Sequence, residues 1–258
     1  MSTIRDSLYF IYAGRTSEEF GLLNVNVNNG LYEEPFLPTR RIIEEKIQGR
    51  DISYFFGFDY EPLQFEVSFM FKDTWDDQKI REICRWLKQP YYQPLSFSND
   101  LDRIYYCVVV DDPQLIHNGL KQGYITLTFR CNSPYSYSPV YTSQVYDFSN
   151  NPSGSNLIFV NNGDLECKPD VFIQKIGDGD ISIINLSDGG KEFKFTGLLD
   201  GEEITVDCEN ENIETSLPNT YRYNNFNNQF LSFVVGYNYL KVNGNCKLQF
   251  RYRFKRLM

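Results

Sequence analysis

Apolar and polar residues alternate with a period of two through most of this chain, and only one segment breaks that pattern with helical spacing. In LQFEVSFMF (63–71), Leu63, Phe65, Val67, Phe69 and Phe71 share one face of an extended strand. In YITLTFRC (124–131), Ile125, Leu127 and Phe129 share one face, with Tyr124, Thr126, Thr128 and Arg130 opposite. IYYCVVV (104–110) is a continuous apolar run, which predicts a central strand buried on both faces. Aromatic residues make up 16% of the 258 residues, with 21 Phe and 19 Tyr, and such rings favour half-buried pleated surfaces. The chain is therefore expected to be mainly β.

The exception is TWDDQKIREICRWLKQ (74–89), where Ile80, Ile83, Cys84 and Leu87 fall on one helical stripe. A helix over about 75–89 is predicted, capped by Thr74, with Asp76 and Asp77 in its positive first turn and Pro90 as its stop. Between about 24 and 62 the sequence carries the charge pairs Glu33–Glu34, Arg40–Arg41 and Glu44–Glu45 and little core-forming pattern. So long a structureless loop is improbable in a compact domain, so this stretch reads as an extended hairpin or arm.

A boundary is expected where Ser, Pro and Tyr replace the strand pattern in CNSPYSYSPVYTSQ (131–144), giving domains over 1–135 and 136–258. The second half has turn signals at 161–164, 177–180, 187–190, 199–202 and 243–245. Asn-Gly and Asp-Gly between apolar residues signal hairpins, and strands at such spacing predict a β-sandwich or jelly roll.

The chemistry available to the chain is narrow. Its net charge of −9 is shared evenly between the halves, with no basic patch to clamp nucleic acid. The basic tail RYRFKRLM (251–258) alternates with Tyr252 and Phe254, as a strand with one wet face would. No apolar run is long enough for a membrane-spanning helix, and the N-terminus does not resemble a signal peptide, so synthesis in a cytoplasm is expected. The six cysteines lie 23 to 41 residues apart with no CxxC pair, and they are expected as reduced, buried thiols. The single histidine, His117, sits in a loop-like segment without a nucleophile motif beside it. Asp178, Asp180 and Asp188 lack the order of a calcium loop, and Glu202 and Glu203 are adjacent, so they point to opposite faces of a strand. No catalytic residue, metal or cofactor is assigned, and no enzymatic activity is expected. Tyr135, Tyr137, Tyr141 and Tyr146 are expected to pin the two domains together, with a sugar-stacking platform as the alternative.

The ordered segments GRTSEEFGLL (14–23), GRD (49–51), RWL (85–87), PLSFSND (94–100) and GYITLTFRC with Pro134 and Tyr135 resemble the N-terminal half of distal tail proteins of long, flexible-tailed bacteriophages. NNGDLECKPDVFI (161–173), GDGDISIINL (177–186), DGEEITVDCEN (200–210) and YNYLKVNGNCKLQFRYRF (237–254) resemble that family's C-terminal domain. The resemblance implies a tail-tube-like β-sandwich with one helix and a projecting hairpin arm, followed by a galectin-like β-sandwich. It also implies a structural virion protein at the tail tip. Its partners would be itself as a homohexameric ring, the tail-tube protein, and hub or receptor-binding proteins. DNA would pass through without specific binding. Under this reading Arg40, Arg41, Glu44 and Glu45 of the arm lie at the subunit interface. In the alternative, a host-surface carbohydrate-binding module, Tyr135 and Tyr137 would contact saccharide. The second half has no His and no Trp, so the sugar-binding pattern of true galectins is missing.

Overall fold

The computed structural model describes residue 4, residues 6–25 and residues 37–257, and the chain forms two units. Residues 26–36 of the expected arm lie outside the described residues. The first unit spans Met1–Tyr137 with Leu257–Met258, and the second spans Ser138–Arg256.

The first unit begins with β1 (Phe10–Tyr12), β2 (Arg15–Thr16) and β3 (Leu22–Asn24). The segment GRTSEEFGLL between them is a compact device. Gly14, at φ 77°, closes the β1–β2 turn. Thr16 then caps the 3-10 turn Ser17–Phe20 in a capping box with Glu19, and Gly21 ends it in the left-handed region. Next come β4 (Arg40–Glu45), β5 (Tyr54–Tyr60), β6 (Gln64–Phe71), α1 (Asp77–Leu87), β7 (Gln93–Phe97), β8 (Asp100–His117), β9 (Gly123–Cys131) and β10 (Ser136–Tyr137). The main sheet runs β2-β1-β7-β8-β9-β6-β3, antiparallel throughout.

The alternation in β6 and β9 is realised as read: Leu63, Phe65, Val67, Phe69, Phe71, Leu127 and Phe129 are all buried. In β8, by contrast, Tyr105 and Cys107 are buried while Ile104, Tyr106 and Val108 to Val110 are half-buried. The apolar run therefore did not mark a strand sealed on both faces. The helix forms, but Asp76 rather than Thr74 caps it, its side chain accepting from the Lys79 amide at 2.8 Å. Burial of Trp75 in the core fixes the chain just before that cap. The buried stripe is Ile83, Trp86 and Leu87, and Cys84 is turned to solvent. Trp86 sets this rotation: its ring stacks on Phe20 at 4.4 Å and on Phe10 at 5.3 Å, and its indole N–H donates to the Tyr12 carbonyl at 2.8 Å.

In the second unit, β11 (Tyr141–Thr142), β12 (Tyr146–Phe148), β14 (Asp170–Lys175), β17 (Glu203–Asp207), β18 (Asn212–Thr215) and β20 (Cys246–Tyr252) form one sheet. β13 (Ser155–Asn161), β15 (Gly179–Asn185), β16 (Lys191–Leu198) and β19 (Gly236–Asn243) form the other. Phe195, Ile183, Phe159 and Val242 from one sheet share a core with Val171, Val206, Leu248 and Phe250 from the other, which makes a β-sandwich. Of the five turn signals in this half, only 187–190 closes a hairpin, between β15 and β16. The other four carry the chain from one sheet to the other, so they were turns correctly placed but wrongly expected to join paired strands. Among the described residues, no helix is long and apolar enough to cross a membrane.

Candidate assembly surface

Strands β4 and β5 pair with each other and with no other described strand. An isolated two-stranded hairpin is marginally stable in water unless something covers one face. Here both strands are nearly all exposed, and their exposed side chains include Ile42, Ile43, Phe55, Phe56, Phe58 and Tyr60. Ile52 and Phe56 stand 82% and 65% exposed, a density that surfaces of free monomers rarely carry. IQGRD forms the tip, where Gly49 takes φ 88° and the Arg50 amide donates to the Ile47 carbonyl.

The registry organises this surface. Ile42 opposes Phe58 and Arg40 opposes Tyr60, so these four share a face. A bulge between Ile43 and Glu44 brings Phe55 onto it, 5.1 Å from Phe58. Phe58 in turn lies 6.2 Å from Tyr60, which lies 6.2 Å from Tyr135, so a ladder of rings runs down the arm. Of the residues expected at an interface, Arg40 lies over the Phe58 ring at 4.3 Å and Arg41 pairs with Glu61. Glu44 and Glu45 are exposed on the same strand. All four thus sit on the arm, among exposed apolar side chains. Sequence reading passed over YFFGFDY (54–60) because its rings fall on both faces and match no core periodicity.

Tyr135 and Tyr137 are half-buried and do not form a joint exposed platform. Tyr135 belongs to the ring ladder, whereas Tyr137 packs edge-on against Tyr106 at 5.8 Å and donates to the Ser133 hydroxyl at 2.9 Å. Tyr141 packs against Tyr252, and Tyr146 against Phe250. His117 is the exposed last residue of β8 and not part of a loop, edge-on to Trp75 at 5.7 Å. A second exposed apolar group, Leu115, Ile116 and Leu120, surrounds it at the β8–β9 tip.

The carboxylates have structural partners. Asp178 accepts from the Asp200 amide, Asp180 from the Gly197 amide, and Asp188 pairs with Lys191 at 2.9 Å. Among the described residues no three His, Cys, Asp or Glu side chains gather as a metal site. Glu202 is buried and receives two hydrogen bonds from Arg222, at 2.6 and 2.8 Å, with Thr215 and the Leu199 amide completing its shell. Burial pushes the Glu202 carboxyl up, but the bonds from Arg222, Thr215 and Leu199 outweigh it and hold it below the usual range.

Comparison with known proteins places this architecture. Residues 5–133 match the model of a phage tail protein N-terminal domain, and residues 135–252 match that of a phage tail C-terminal domain. The SPbeta prophage-derived uncharacterized protein YomH of Bacillus subtilis (strain 168) is 33% identical over 254 residues, covering 98% of this chain and 100% of that protein. The crystal structure of the Dit protein (gp 19.1) of phage SPP1 is described as a paradigm of the hub adsorption apparatus in phages infecting Gram-positive bacteria. It superposes with a TM-score of 0.68 at 17% identity, over 95% of this chain and 98% of that one. The chain therefore belongs to the phage tail protein family built from these two domains, and it has the fold of the distal tail protein.

Proposed function

We propose that this phage tail protein is a non-enzymatic, ring-forming hub at the distal end of the tail, joining the tail tube to the baseplate or receptor-binding proteins. The observation that carries the reading is the β4–β5 arm, which pairs with no other described strand and leaves Ile42, Ile43, Phe55 and Phe56 between 48% and 65% exposed. An arm that lies on the neighbouring copy makes a head-to-tail contact, and such contacts generate rings when the rotation closes. Six copies is the number implied by the family. Assembly in the host cytoplasm fits a chain whose described cysteines are free.

The test is the mass of the particle in solution, alone and with the adjacent tail protein. The unaltered chain is expected to form a closed oligomer in at least one of these settings. Phe55→Glu with Phe56→Glu should return it to monomer, because burying charges in an apolar contact is costly. Under conditions where both proteins are monomeric, the melting temperature should shift by no more than about 2 °C, since exposed positions contribute little to folding. A monomer in every setting, or an oligomer indifferent to both substitutions, would remove the basis of the proposal.

A further inference from the structure

Cys107 of β8 and Cys131 of β9 are direct partners in the antiparallel register, 24 residues apart in sequence. Their sulfur atoms lie 2.9 Å apart, and both residues are buried in the first core, at 0% and 1% exposure. Directly opposed residues of antiparallel strands hold their Cα atoms about 4.5–5.5 Å apart, inside the span a disulfide bridges. Both are free thiols in this structure. Burial, then the hydrogen bond from Cys131, push the Cys107 thiol well above its ordinary value, which keeps it protonated and slow to react at neutral pH. No other described pair is placed this way. Cys84 is exposed, while Cys167, Cys208 and Cys246 are buried singly in the second unit, with thiols pushed by burial to about 12, about 12 and about 11.

We infer that Cys107 and Cys131 are an oxidation site that a peroxide closes into a cross-strand disulfide, stapling β8 to β9 once the protein has left a reducing compartment. Cys131 is buried but is the last residue of β9, next to exposed Asn132, so local opening of that strand end is the route by which peroxide reaches its sulfur. Its thiolate attacks hydrogen peroxide: an S–O bond forms as the O–O bond breaks, giving a sulfenic acid and, after protonation of the leaving hydroxide, water. The Cys107 sulfur then displaces the sulfenic oxygen: the S–S bond forms, the S–O bond breaks, and a second water leaves with the thiol proton. Two thiols and one peroxide give one disulfide and two waters, the sulfurs losing two electrons and the peroxide gaining two. The inference goes beyond the hub reading and stands or falls without it.

The experiment uses the full chain carrying Cys84→Ser, which removes adducts at the exposed thiol. It is incubated with hydrogen peroxide, denatured, alkylated and digested without reductant. A peptide pair joined through Cys107 and Cys131 is expected, together with a melting temperature higher by on the order of 5–10 °C that returns on adding dithiothreitol. Cys131→Ser, or Cys107→Ala if the first variant folds poorly, should abolish the rise. Full alkylation of both thiols after peroxide treatment, a bridge to any other cysteine, or overoxidation to sulfinic acid without a bridge would overturn the inference.

Discussion

At the scale of single residues, the buried ion pair of Glu202 with Arg222 shows how much of the second unit rests on contacts that no local pattern announces. Glu202 follows an Asp-Gly turn and looks in sequence like one of two adjacent acids, while Arg222 lies 20 positions on, just before a short 3-10 turn. Their meeting depends on how the chain between them folds back. Replacing Arg222 with Ala leaves a buried carboxylate unpaired and should destabilise the second unit by about 3–5 kcal/mol at pH 7. The pH dependence follows from the direction of the shift. The folded Glu202 carboxyl lies below its unfolded value of about 4.3, so the pair's stabilisation is complete above that value and is lost as pH falls through the folded one. Urea unfolding of parent and variant at pH 7 and pH 3 should show the gap between them shrinking in acid. A gap equally wide at both would mean that packing, and not charge, sets the cost.

Elements were legible to different degrees, for reasons that differ. The alternation in β6 and β9 was readable because one face of each strand is buried and the other is not. The helix was readable in extent and in most of its inward stripe, with Ile80, Ile83 and Leu87 facing the core; only Cys84 is turned out, since a large ring such as Trp86 outweighs a cysteine in deciding the rotation. The β4–β5 arm was readable as a hairpin, yet its exposed rings were not, because side chains that enter no core of their own chain obey no intramolecular period. At the β8–β9 tip, Gly123 opens the GYITLTFRC segment. A Cβ there would stand 2.0 Å from the Ile116 carbonyl oxygen and 2.8 Å from the His117 Cα. Gly123→Ala must therefore push the two strand ends apart, at a cost of about 1–3 kcal/mol. Hydrogen exchange should be faster over residues 111–123 and unchanged in β6. Unaltered protection at the tip would show that the hairpin absorbs the methyl without moving.

For the molecule as a whole, mainly β character was plain from the alternation, whereas the distal-tail fold came from ordered segments whose individual motifs are loose. Their physical reasons emerge only in three dimensions, as with the capping box inside GRTSEEFGLL. The net charge of −9 bears on what such a protein must tolerate. The proposed hub, if DNA passes through its ring, should repel phosphate, and an acidic surface releases no counterions on meeting a duplex. Titration of labelled double-stranded DNA at 150 mM salt should give no measurable retention; saturable binding there would contradict free passage. The second unit carries a further implication in its connections. Four of its five signalled turns lead from one sheet to the other, so few of its strands can zip onto their predecessor. Each sheet gathers strands distant in sequence, and neither can be completed while the other is absent. Such a topology must close long loops before its pairings reward them, which favours formation of the two sheets together over strand-by-strand growth.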